Sequence, residues 1–238
     1  VLQSLTRNKR LIGVLCGQYG DYGLPPAQSS FGMHAILVRH YFRGGNYPVG
    51  GASVIADTIA QVIHDHGGQV LTKAAVTRIN VHNNKATGVT LADGRALQAS
   101  TVISGAGYIN TVQHLLDPEI AADREMLQTS QSVERAAAHV CLYVGCKQTA
   151  EALQMPRSNH WLYPTDDHDE NISKYLADRS APLPLTYISF PSAKDPDWYN
   201  RYPGKSTIQA ITLAPYEWFA EWEGTRWMKR GDNYLAFK

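Results

Sequence analysis

The sequence has 238 residues, of which 44% are hydrophobic and 18% charged, and it carries a formal net charge of +1. That balance excludes disordered and fibrous classes and leaves room for one large domain or two small ones. With neither sign dominant, bulk charge gives no basis for binding nucleic acid or an acidic partner.

In chain order, a basic start (Arg7, Lys9, Arg10) leads into the short apolar run Leu11 to Cys16. The run is too brief and too interrupted by Gly13 for a signal peptide. Gly17 to Pro26 is rich enough in glycine and proline to be loop. Phe31 to Phe42 alternates, with His34, Ile36, Val38 and His40 on one side and Met33, Ala35, Leu37, Arg39 and Tyr41 on the other, which predicts a strand buried in part on both faces. On a strand His34 and His40 stand about 20 Å apart, too far to share a metal ion, so each is pocket lining or core.

A second glycine-rich loop, Arg43 to Gly51, runs into a predicted helix carrying Val54, Ile55, Ile59, Val62 and Ile63, with Gly67-Gly68 as its stop. From Val70 to Ser104 the period falls to two. Asn83-Asn84 and Asp93-Gly94 read as turns, giving a three-stranded meander. The chain continues as a strand into Val102-Ile-Ser-Gly-Ala-Gly107, then a short helix through Ile109, Val112, Leu115 and Leu116 that Pro118 ends. After a polar helical stretch, strands are expected at Ala138 to Val144, Leu185 to Phe190 and Thr207 to Leu213. All five tryptophans lie beyond residue 160. Residues 120–238 are therefore read as a second, mixed α+β region.

The motifs taken singly are weak. Tyr47-Pro-Val-Gly-Gly51 offers glycines at a helix start, where free amides can face an anion or a polar ring edge, but the Lys-Ser/Thr of a P-loop is missing. Gly105-Ala-Gly107 opens like a dinucleotide fingerprint, yet Asn110 stands where the third glycine belongs, and no strand-end acid follows about 20 residues on. Ser104 lacks the first glycine of a nucleophile elbow. Asp166-Asp-His-Asp-Glu170 lacks calcium-loop spacing and reads as a solvated acidic turn. Cys16, Cys141 and Cys146 are odd in number and form no zinc motif, so they are expected to be reduced and buried. No metal site is expected. The longest apolar run, 136–144, is far short of the roughly 20 residues needed to span a bilayer.

Together, Gly20-Asp-Tyr-Gly-Leu-Pro-Pro26, Ser30-Phe-Gly-Met-His34, His40-Tyr41, Tyr47-Pro-Val-Gly-Gly51 and Val102-Ile-Ser-Gly-Ala-Gly107 resemble the phytoene desaturase, carotenoid isomerase and retinol saturase group of flavoproteins. Asn159-His-Trp161, Asp166 to Asn171, Tyr187-Ile-Ser-Phe-Pro-Ser-Ala-Lys-Asp-Pro196 and Tyr216 to Gly231 resemble the retinol saturase branch most. The resemblance implies an α/β, mixed α+β fold, in which a partial FAD-binding Rossmann-like domain with a β-meander is interleaved with a mixed-sheet substrate domain. The divisions implied are 1–43 as substrate-domain portion, 44–119 as partial FAD domain and 120–238 as substrate domain.

By the same resemblance Tyr47, Gly50 and Gly51 approach the flavin ring, Val76 lies near the adenine, and Gly105, Ala106 and Gly107 contact the cofactor. His34 and His40 line the substrate. The family's N-terminal G-x-G-x-x-G and its C-terminal Gly-Asp flavin segment have no counterpart here, Gly231-Asp232 following Trp227-Met-Lys-Arg in a different setting. Since the chain also opens on Val1, it reads as an internal portion of a longer protein that by itself holds FAD weakly or not at all.

The expected function is hydride transfer to or from a polyene lipid, a carotenoid or retinoid, by saturation, desaturation or isomerisation. The alternative is a non-catalytic module binding an apolar ligand or partner, or one subunit of a split flavoenzyme. A cytoplasmic location, peripheral contact with a membrane and self-association through exposed interdomain surface complete the expectations.

Overall fold

The computed structural model describes residues 1–123, 125–133, 138–226 and 228–238; Trp227 and the start of the apolar run at 136–137 lie outside the described residues. The longer elements, in chain order, are helices α1 (Lys9–Cys16), α2 (Phe31–His40) and α3 (Ser53–Asp65); strands β1 (Val76–His82), β2 (Lys85–Leu91) and β3 (Ala96–Gln98); helices α4 (Pro118–Asp123) and α5 (Met126–Ser132); strands β4 (His139–Cys146) and β5 (His160–Leu162); helix α6 (His168–Ala177); and strands β6 (Thr186–Ser189) and β7 (Ser206–Leu213). The fold is mixed α+β. The chain forms two units, one of Val1–Thr58 with Ala136–Lys238 and one of Ile59–Arg135.

The larger unit holds a four-stranded sheet in the order β4-β7-β6-β5. Every pairing in it is antiparallel, and β4 matches β7 over its full length from His139↔Leu213 to Cys146↔Ser206. Its core is Tyr19, Ile172 and Leu185, with Tyr22, Trp161, Tyr163 and Leu213 packed around them. Gly20 is required for that packing, because a Cβ there would stand 2.5 Å from the Trp161 ring.

The smaller unit carries the antiparallel meander β1-β2-β3. Asn83 and Asn84 take positive φ (49° and 60°), the geometry of a two-residue hairpin turn whose twist suits the strands it joins. Ile79, Leu91, Val112 and Ala121 are its buried apolar residues. At the start of this unit Gly67 (φ 76°) ends α3, and the Gly68 amide donates back to Ile63 O at 2.8 Å.

The structure corrects several sequence expectations. Phe31 to Phe42 is not a strand: residues 31–40 are helical, and the partly buried members are His34, Leu37 and Val38, the i, i+3, i+4 pattern of a single helix face. An almost continuous apolar run satisfies either period, so alternation did not discriminate. Residues 101–105 carry no ladder, and Ile103 is 92% exposed, so no strand leads into Gly105. The short helix through Ile109 does stop at Leu115, before Pro118, but Pro118 also begins α4, where its missing N–H costs nothing. Asp166 to Glu170 is not simply a solvated turn: Asp167 caps α6 through Glu170 N at 3.0 Å, and His168 in its first turn is buried. Of the cysteines only Cys16 is buried, and all three are free thiols. Among the described residues, no helix is long and apolar enough to cross a membrane.

Candidate functional site

The Tyr47 to Gly51 loop is built on two consecutive glycines with positive φ, 94° at Gly50 and 89° at Gly51, a path L-residues avoid. It is tied down from a distant part of the chain. The Gly50 amide donates to Asp195 Oδ1 at 2.9 Å, and the Asp197 amide donates to the same oxygen at 3.0 Å. Arg201 donates to Asp195 Oδ2 and, through Nε, to Asp197 Oδ2 at 3.1 Å.

The Asp195 side chain is 1% exposed. Burial alone would push its carboxyl up, but the two amides and the Arg201 guanidinium outweigh burial and hold it below the ordinary carboxylate value. Arg201 in turn lies against the rings of Trp198 and Tyr202. Lys194 Nζ sits 5.9 Å from the Tyr47 ring centre, donates to Ser189 Oγ at 2.7 Å and to Asn159, and is shifted down by burial. Burial, with Asp195 adding to it, raises the Tyr47 phenol.

This geometry changes what the loop can bind. The Gly50 amide is spent on Asp195 and the Gly51 amide on Pro48 O at 3.1 Å, so neither is free for an anion as the sequence suggested. A Cβ at Gly51 would meet Arg201 Nη2 at 3.6 Å and Asp195 Oδ2 at 3.9 Å, ordinary contact distances, so this face of the turn is covered by the Asp195–Arg201 pair. Asp195, Arg201 and Lys194 were not singled out from sequence. The available signal was Lys194-Asp195 at the end of the one-turn helix Pro191–Lys194 that follows β6, close to the apolar strand, a place where charges persist only when paired.

The two histidines separate. His34 Nδ1 lies 3.3 Å from the Tyr22 hydroxyl, the rings meeting edge to face at 6.0 Å, and His34 lines a cavity of about 370 Å³. His40 meets the Tyr41 ring edge to face and is not part of that wall. Six residues on a helix rise only about 9 Å but turn through well over one revolution, so the two side chains do not share a face.

In the smaller unit, Val76 opens β1 opposite Leu91. Gly105, Ala106 and Gly107 form an exposed turn in which Ser104 Oγ meets Thr111 Oγ1 at 2.7 Å and Asn110 Nδ2 donates to Ala106 O at 3.0 Å. A Cβ at Gly105 or Gly107 would meet nothing within 4 Å. The helix beginning at Tyr108 is one turn followed by a π-turn at Thr111–Leu115, too short to present a strong positive end to a pyrophosphate. The glycine faces at Gly105 and Gly107 are thus open, whereas that at Gly51 is covered by Arg201 and Asp195. Among the described residues no group of acidic, histidine and cysteine side chains could hold a metal ion.

Residues 10–225 match the profile of the flavin-containing amine oxidoreductases. The chain is 37% identical over 246 aligned positions to an all-trans-retinol 13,14-reductase of Homo sapiens, with all of this chain and 40% of that protein covered. A Danio rerio protein described as an inactive all-trans-retinol 13,14-reductase is 37% identical over the same extent. A chloroplastic prolycopene isomerase of Arabidopsis thaliana is 31% identical over 79% of this chain and 29% of its own. The crystal structure of an oxidoreductase from Methanosarcina mazei shares the fold at a TM-score of 0.51 and 22% identity, over 73% of this chain and 36% of that one. The chain spans 40% of the length of the retinol reductases it matches. It belongs to the flavin-containing amine oxidoreductase family and resembles the all-trans-retinol reductase branch more than the prolycopene isomerase branch.

Proposed function

We propose that these residues supply the polyene-binding part and a portion of the flavin domain of an FAD-dependent oxidoreductase acting on a retinoid or carotenoid. What carries the reading is identity spread over the whole chain with all-trans-retinol 13,14-reductases, a likeness not confined to one motif. FAD, when bound, supplies the hydride acceptor or donor.

The chain's own residues have narrower tasks. Asp195 holds Gly50, and with Arg201 it packs against the turn at Gly51, fixing the loop that presents Tyr47 at the edge of the ring. Lys194, bound to Ser189 and Asn159, backs the Tyr47 ring. In the smaller unit, Val76 and Gly105 to Gly107 contribute backbone to cofactor binding. The cavity beside His34 takes part of the polyene and shields it from water, and His40 contributes farther along the ligand. Saturation, desaturation and isomerisation share this arrangement and differ in the electron balance that the flavin carries.

The relative described as inactive favours one second reading, a non-catalytic module that binds the apolar ligand only. Titrating the purified chain with all-trans-retinol and with FAD separates the two. Polyene binding that FAD strengthens, and that Gly51→Val uncouples from FAD, supports the enzyme. Polyene binding indifferent to FAD supports the module, and no polyene binding overturns both.

A further inference from the structure

The basic start of the chain and the apolar run after it fold together as α1, and the function proposed above leaves this helix without a task. Asn8 caps it, the Leu11 amide donating to Asn8 Oδ1 at 3.0 Å. Its inner face is locked. Ile12, Gly13 and Cys16 are its least exposed positions, His168 Nε2 lies 2.8 Å from Gly13 O, and a Cβ at Gly13 would stand 2.5 Å from Asp166 O. The helix therefore cannot turn to bury its other side.

That other side is apolar as well. Leu11, Val14 and Leu15, spaced i, i+3 and i+4, are 43%, 71% and 45% exposed, and Leu5 ahead of the cap is 75% exposed. Arg10 stands one turn before Val14, and Arg7 precedes the cap. Among the described residues neither arginine has a carboxylate within ion-pair distance. The acids of the 166–170 turn share a cavity of about 410 Å³ with Lys9, Ile12, Gly13 and Cys16, so they lie toward the inner flank. Over residues 1–50, Arg7, Lys9, Arg10, Arg39 and Arg43 stand against Asp21 alone.

We infer that the outer face of α1 docks on a lipid surface bearing acidic head groups, with Leu11, Val14 and Leu15 entering the acyl boundary and Arg7 and Arg10 meeting the head groups. An aliphatic stripe flanked by cations is what a helix lying in a membrane interface presents. Nucleic acid would leave the stripe in water, and the face carries no aromatic anchor of the kind that dominates protein interfaces. With eight residues the helix is about 12 Å long, so it lies along the interface and does not cross it. The inference requires neither flavin nor polyene and stands apart from the function proposed above.

Flotation of the full chain with phosphatidylcholine vesicles, with and without about one-third phosphatidylserine, tests it. The acidic vesicles are expected to bind about tenfold or more tighter at low salt, and the difference to close as salt rises, since each basic residue near such a surface is worth about fivefold. Val14→Asp should weaken binding to both vesicles about tenfold. Arg10→Gln should weaken binding to the acidic vesicles alone, about fivefold. Leu235→Asp removes an apolar residue of similar exposure (67%) outside α1 and should change nothing.

Equal binding to the two vesicles overturns the inference, as does a loss in Leu235→Asp as large as that in a folded Val14→Asp. Absence of vesicle binding overturns it too, and self-association that Val14→Asp abolishes would then assign the face to a second copy of the chain. If Val14→Asp does not fold, Arg10→Gln and the salt dependence decide.

Discussion

The Gly50 amide and the Asp195 carboxylate, 145 positions apart in sequence, are joined by a 2.9 Å hydrogen bond in which Gly50 donates. Asp195→Ala removes the acceptor of two amides and of Arg201 at once. Since Arg201 is one-third exposed and partly screened, the expected loss is about 2–4 kcal/mol, below that of a fully buried pair. Asp195→Asn keeps an oxygen for Gly50 and should lose less. The depressed carboxyl also sets a pH signature. Its contribution is present above the unfolded-state value near 4 and is lost as pH falls through the lower folded value, so the stability gap between the native chain and Asp195→Asn should shrink on acidification. Chemical denaturation at neutral and acid pH measures both.

The β1–β2 hairpin turns on Asn83 and Asn84, both at positive φ. Asn84→Gly should stabilise the smaller unit by about 0.5 kcal/mol, and Asn83→Val should destabilise it by about 1–2 kcal/mol, because a β-branched residue resists that backbone. Hydrogen exchange of the meander amides reports the effect on this unit without interference from the other.

Cys16 is raised by burial and then by Asp169, whereas Cys141 and Cys146 are partly accessible. With a disulfide reagent at mildly alkaline pH, one thiol of the three should react slowly. Asp169→Asn lowers the Cys16 value and should speed that slow phase, and bound polyene alcohol should slow it again, since Cys16 lines the cavity beside His34. Three equal rates would contradict the placement.

Strand β4 is the outer strand of its sheet and exposes Val140, Leu142 and Tyr143, at 46%, 62% and 72%. An apolar strand edge of this kind invites pairing with another chain. Light scattering of the isolated chain should show association that Leu142→Lys reduces. A monomer at all concentrations would contradict it.

The sequence was most readable where one period stands alone. The meander from Val76 to Gln98 is marked off by its asparagine and glycine turns, although β1 carries two register shifts against β2, and α3 has both helical spacing and a glycine stop. It misled at Phe31 to His40, where apolar residues crowd both periods and only the partial burial of His34, Leu37 and Val38 reveals a helix. The Tyr47 to Gly51 loop was visible as a special backbone, but its anchor was not. Asp195 is 145 residues away, and no local pattern says that its carboxylate turns toward Gly50. The Tyr22–His34 pair escaped for a related reason: its 12-residue separation becomes a contact only through a helix that alternation had hidden.

The most direct measurement replaces the matched 40% of the human all-trans-retinol 13,14-reductase with this chain and follows the flavin of the purified chimera. After anaerobic reduction, addition of all-trans-retinol is expected to reoxidise the flavin with loss of polyene absorbance, and Gly51→Val is expected to abolish that step while the protein stays folded. A chimera that binds both flavin and retinol yet keeps its flavin reduced would contradict a role for these residues in hydride transfer and leave only the binding module.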